Sequence, residues 1–150
     1  MKNADHLALP VVCDFNPEDR LYYYRLIITE VTDGDTFFGI MDLGMGITFK
    51  GMKFGKKKRD SYQAFRTNRI NALETSLRQG QTQEQKEKGI KAKEFVENYL
   101  KVGSKIIVRT NSAGGLKRPL TEIFYEHPEL GWIRFNDYEV KQGHAFYQEY

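Results

Sequence analysis

Residues 21–32, Leu-Tyr-Tyr-Tyr-Arg-Leu-Ile-Ile-Thr-Glu-Val-Thr, are mostly aromatic or β-branched, and Asp33-Gly34 comes directly after them. Such side chains suit a pleated, half-buried strand, and Asp-Gly suits a tight hairpin turn. A second strand over 36–43 completes the hairpin, and Gly44 and Gly46 break or bulge it. Pairing resumes over 47–49. A basic loop spans 50–60, and a third strand runs over 62–70.

Beyond a polar loop at 77–81 the period changes. Ala92, Phe95, Val96, Tyr99 and Leu100 fall at helical spacing on one face, which predicts a helix over about 82–102. Thr82 is placed to cap it, with Gln85 three residues on as the capping-box partner. Gly103 stands where a helix end favours positive φ. Further strands are expected over 105–110, 120–125 and 132–135. Asn136 is expected to cap a short helix through Gln142, closed by Gly143.

Three strands, a helix, more strands and a short helix predict an α+β, β-rich chain. The architecture is a closed five-stranded Greek-key barrel of the OB type, with one long helix and a short C-terminal one. It occupies 21–150. Residues 1–20, punctuated by Pro10 and Pro17, form an irregular arm that lies over the barrel.

A chain of 150 residues suffices for one domain with a real core. Cys13 is the only cysteine, so an intrachain disulfide is excluded. The apolar stretch 7–13 contains Pro10 and makes a poor signal peptide. Val11-Val12 lacks the small residues a lipoprotein cysteine prefers. No run approaches membrane-spanning length. The expectation is a soluble, cytoplasmic monomer without a membrane partner.

His6, His127 and His144 have no metal-ligand spacing. There is no Cys/His zinc pattern, no Gly-rich phosphate loop and no nucleophilic Ser motif. The formal charge is +3, and residues 50–59 hold six Lys or Arg and no acid. Lys53, Lys56, Lys57, Lys58 and Arg59 are either a solvated loop or a sequence-independent grip on phosphates.

The third strand ends in Ile70-Asn71-Ala72-Leu73-Glu74-Thr75 and sends Arg66, Asn71 and Glu74 toward one end. A cation, a metal ligand and a carboxylate base close together are what phosphodiester hydrolysis needs. Asp33-Gly34-Asp35-Thr36 can add a metal ligand, and Lys117-Arg118-Pro119-Leu120 a second Arg. Each piece alone also has an ordinary reading. Asp-Gly is a hairpin turn, Arg66 and Arg69 can pair with surface acids, Glu74 can cap or salt-bridge, and Arg118-Pro119 can be plain loop.

The order and spacing of these pieces carry a resemblance. It rests on 31–36 (Val-Thr-Asp-Gly-Asp-Thr), Phe65-Arg66, 70–75, the helix over 89–100, 103–110, Lys117-Arg118-Pro119-Leu120 and 136–145. Over roughly 22–150 the chain resembles the staphylococcal-nuclease-like (thermonuclease) family. The element at 42–47 and the Asn71-Ala72 pair look most like phage-type members. The resemblance implies an OB-type barrel and calcium-dependent endonuclease activity on DNA or RNA, single strands favoured, with little sequence specificity. It implies one Ca²⁺ ion, held by Asp35, Asn71 and the Ala72 carbonyl. Glu74 matches the general base, and Arg66 and Arg118 match the phosphate-binding arginines. Lys117, with the basic loop, falls on the nucleic-acid side.

The chain also departs from the family pattern. Asn71 stands where the best-known members carry a second aspartate, which removes one negative charge from the metal shell. Leu73 replaces a frequent Pro. Gly114-Gly115-Leu116 lacks the Lys-Tyr pair that contacts the nucleotide, with Lys117 close by but displaced. The last helix of the best-known member has no counterpart before Tyr150. Two other readings stand beside the enzyme: a nucleic-acid-binding barrel without useful catalysis, and a phage assembly or inhibitor protein that reuses the barrel.

Overall fold

The computed structural model describes residues 4–19, 22–50, 63–75, 81–111 and 119–150. Strand β1 (Tyr23–Asp33) alternates as a strand with one solvated face does: Leu26 and Ile28 are buried while Arg25 and Ile27 are exposed. It pairs antiparallel with β2 (Thr36–Gly44) on one side and with β6 (Lys105–Asn111) on the other. Strand β7 (Leu120–His127) is antiparallel to β6 and parallel to β4 (Gln63–Thr67), which returns antiparallel to β2. The order β1-β6-β7-β4-β2 closes on itself through the β1–β2 pair, a five-stranded mixed barrel of the OB type. Two short strands extend it, β3 (Ile47–Phe49) beside β2 and β8 (Gly131–Arg134) beside β7.

Leu26, Ile28, Phe37, Phe65, Val108 and Ile123 fill the barrel, and the Phe37 and Phe65 rings stack 5.5 Å apart across the β2–β4 pair. Helix α1 (Gln83–Tyr99) covers the core with Val96, while Leu100 just beyond it is also buried. Its capping box is complete: Gln85 N–H donates to Thr82 Oγ1 at 3.2 Å, and Thr82 N–H to Gln85 Oε1 at 2.9 Å. The helix ends before 102 because β1 recruits the backbone at 103 and 104. Gly103 N–H donates to the Ile28 carbonyl, and Ile28 N–H to that of Ser104.

Two local expectations are corrected. The strand expected over 62–70 is interrupted at Asn68 and Arg69, and Arg69 takes φ 66. A non-glycine residue there is strained by roughly 1–2 kcal/mol. Its side chain offsets the strain by reaching Glu122 and Asp137, with four nitrogen–oxygen contacts of 2.6–3.0 Å. Beyond the kink, β5 (Ile70–Asn71) leaves the barrel and pairs with β9 (Phe146–Tyr147). The second correction concerns Asn136. Helix α2 (Phe135–Lys141) begins one residue earlier, and Asn136 makes no cap. It is fully buried; its amide donates to the Asn68 and Thr121 carbonyls and accepts from Ile123 N–H. The same residue type that favours a cap here joins α2 to β7 and to the kink.

Residues 4–19 carry two single-turn 3-10 helices, Asp5–Leu7 and Pro17–Asp19. Between them, Val12 bridges to Ile133 of β8, and Leu9 N–H donates to Asp137. Among the described residues, no helix is long and apolar enough to cross a membrane.

Candidate active site

The kink at Arg69 turns the chain back toward the β1–β2 turn, and two hydrogen bonds fasten the segments together. Ala72 N–H donates to Asp35 Oδ2 at 3.0 Å, and Thr75 Oγ1 to Asp33 Oδ1 at 3.2 Å. Two glycines allow the approach. A Cβ on Gly34 would lie 2.7 Å from the Ala72 Cβ and 3.0 Å from the Ala92 Cβ. A Cβ on Gly89 of α1 would stand 2.7 Å from the Leu73 carbonyl oxygen, with the Glu74 backbone nearer still. Any side chain at either position would push the segment off its support.

Asp35 is 5% exposed. Its Oδ1 accepts from Thr36 Oγ1 at 3.0 Å, and its backbone carbonyl accepts from Thr67 N–H. Arg66 lies on β4 opposite Thr36, and its Nη2 faces three acceptors: Tyr150 Oη at 2.6 Å, Asn71 Oδ1 at 3.2 Å and Asp35 Oδ2 at 3.4 Å. That nitrogen has only two hydrogens. Tyr150 takes the short bond, and Asn71 and Asp35 share a long, weak one. Arg66 Nε is buried and without a partner among the described residues. The guanidinium is thus held in place but incompletely engaged. The Tyr150 ring lies 4.7 Å from its central carbon, and the phenol donates to the Ile70 carbonyl. Asn71 is oriented by Gln148, whose Oε1 accepts from Asn71 Nδ2 at 2.8 Å.

Asp35, Arg66, Asn71 and Ala72 therefore converge. Glu74 lies two residues further on, half-buried, its carbonyl accepting from Gln81 Nε2. Pro119 and Leu120 of the expected 117–120 piece are also here: Arg66 N–H donates to the Pro119 carbonyl, and Leu120 pairs with Arg66. Arg118, Lys117, Lys53, Lys56, Lys57, Lys58 and Arg59 lie outside the described residues. No protein-family model matches the chain, and no curated protein matches it.

The donor set suits a hard cation, which takes carboxylate, amide, hydroxyl and carbonyl oxygens. Asp35, Asn71 and the Ala72 carbonyl are the residues that would hold one. These donors are of mixed type, a carboxylate, an amide and a backbone carbonyl; among the described residues no group of three or more Asp, Glu, His or Cys is placed to hold a metal ion.

Three contributors carry no clear sign in the sequence pattern. Tyr150 and Gln148 come after β9, a strand of two residues with no periodic signal. The third is Glu139 of α2, which is 0% exposed with neither carboxyl oxygen hydrogen-bonded among the described residues. Burial first, then the negative charge of Asp35, push its carboxyl well above the usual carboxylate range. One signal does exist: Glu139 falls four residues after Phe135 and so shares its inward face.

Proposed function

We propose that this chain is a metal-dependent endonuclease of the staphylococcal-nuclease type. It would hydrolyse phosphodiesters of DNA or RNA with little sequence specificity. The observation that supports this best is the convergence of Asp35 with Arg66, Asn71 and Ala72, which lie 31 residues or more from it in the chain, around an incompletely engaged guanidinium. A structural ion pair alone has no need of an amide oxygen and a backbone clasp at the same point.

In this reading Arg66 exchanges its long bonds to Asp35 and Asn71 for phosphate oxygens, which a guanidinium fork matches in shape. Arg118 supplies a second fork from the segment leading into Pro119. A bound calcium ion supplies Lewis-acid stabilisation of the charge that builds on the phosphate. Glu74 takes the proton of the attacking water, and the close packing of Gly89 against its backbone keeps that carboxylate in register. The basic residues Lys53, Lys56, Lys57, Lys58, Arg59 and Lys117 hold the flanking nucleic-acid backbone.

The rival reading, a binding barrel without catalysis, is favoured by the short Tyr150–Arg66 bond, which commits part of the guanidinium to the protein. Incubation with single-stranded DNA separates the two. The enzyme cleaves in Ca²⁺ and stops in EDTA, whereas the binding module retains the DNA and leaves it whole.

A further inference from the structure

Glu139 projects from α2 toward Gly34 at the β1–β2 turn. A Cβ on Gly34 would lie 3.0 Å from Glu139 Oε1, and the same point touches Ala72 and Ala92. None of these three has a side-chain donor. Among the described residues both carboxyl oxygens are buried and without partners, and the residue is 0% exposed. An unmatched buried carboxylate is among the costlier groups a protein can hold, and a hydrophobe of similar size would be more stable there.

The position is as telling as the burial. Gly34 immediately precedes Asp35, and Ala72 immediately succeeds Asn71. Glu139 thus lies beside Gly34 and Ala72, the chain neighbours of Asp35 and Asn71, with Asp35 the charge that bears on it. A dication at Asp35 and Asn71 would meet one formal charge from those two side chains. Calcium sites tune affinity by the number of charged ligands.

We propose that Glu139 is the second carboxylate of the cation site and supplies the negative charge that Asn71 lacks. It does so from α2, an element separate from the 70–75 segment, either on the ion itself or across one bridging water. The inference rests on the cation site proposed above. It makes α2 part of the active centre, so that cation binding ties α2 to the β1–β2 turn.

The test is calorimetric titration of Ca²⁺ into the full chain, with thermal melts in Ca²⁺ and in EDTA. Four proteins are compared: wild type, Glu139→Gln, Asn71→Asp, and Glu139→Gln combined with Asn71→Asp. Glu139→Gln keeps the shape and removes the charge. It is expected to weaken Ca²⁺ binding by about 10- to 100-fold, the size of effect seen when an outer partner of a metal site is lost. It should also shrink the Ca²⁺-induced rise in melting temperature while leaving the EDTA melt at or above that of wild type. Asn71→Asp should bind more tightly than wild type and should rescue the double variant. A merely structural Glu139 would give neither the selective loss nor the rescue.

Equal Ca²⁺ affinity in wild type and Glu139→Gln overturns the inference, and calcium-dependent cleavage by the wild type would leave the endonuclease reading standing. Wild type that neither binds Ca²⁺ nor cleaves overturns both. If Glu139→Gln does not fold, Glu139→Leu is titrated in its place with the same two outcomes.

Discussion

Replacing Glu139 by leucine should stabilise the metal-free protein, by an amount that grows with pH. The carboxyl is fully buried and its oxygens are unmatched. Burial, then the Asp35 charge, raise its pKa in the folded state above the ordinary value of 4.5. The folded chain therefore keeps the proton after the unfolded chain has lost it. Below about pH 4.5 both states hold the proton, and the cost of Glu139 is that of a neutral buried group without hydrogen bonds, about 1–3 kcal/mol. Above that pH the folded state binds more protons than the unfolded one, so stability falls as pH rises until the folded pKa is passed. The slope approaches at most a factor of ten in the folding equilibrium per pH unit. For a domain of this size, about 1 kcal/mol moves the melting temperature by roughly 2–4 °C. The advantage of Glu139→Leu over wild type should widen with rising pH, by at most about 3–5 °C per pH unit. The assay is differential scanning calorimetry of both proteins in EDTA, from about pH 4 upward, since the linkage begins at the unfolded pKa. A difference in melting temperature that does not change with pH would refute the argument. So would a wild type more stable than the variant throughout.

The geometry sets two more outcomes. Arg69→Ala should destabilise by about 3–5 kcal/mol in urea unfolding, because it strands Glu122 and the almost fully buried Asp137 without their cation; a loss below about 1 kcal/mol would count against the kink's being held by that network. Neutralising Lys53, Lys56, Lys57, Lys58 and Arg59 together should weaken binding to all DNA sequences alike and flatten its salt dependence, by roughly 0.7–0.9 log units of slope per contact; an unchanged slope would make the run a solvated loop.

The parts of this fold that local chemistry decides were legible in the sequence. Thr82 and Gln85 form the capping box their spacing predicts, and the hairpin turn falls at Gly34-Asp35, one residue beyond the expected Asp33-Gly34, because Asp33 still pairs with Thr36. The parts that were not legible depend on distant partners. No local pattern announces that Arg69 adopts a left-handed conformation, because Glu122 and Asp137 select it. Asn136 has the chemistry of a cap, yet Asn68, Thr121 and Ile123 draw it into the core. In the site, Asp35, Arg66 and Asn71 could be paired through the family resemblance, whereas a glutamate in a seven-residue helix reads as a solvated face. Only the tertiary fold, which brings Gly34 against Glu139, reveals that this side chain is buried.

The central claim is that the cluster catalyses and does not merely bind. Glu74→Gln tests it most directly, in single-turnover cleavage of single-stranded DNA beside fluorescence anisotropy, both in Ca²⁺. Glu74 is an anion beside an anionic substrate, so in the ground state it repels. Its benefit arises when the attacking water gives up its proton, an effect of about 10²–10⁴ in rate. The account predicts binding equal to wild type or slightly tighter, with cleavage slower by that factor. A wild type that binds without cleaving, matched by an indistinguishable Glu74→Gln, would contradict it.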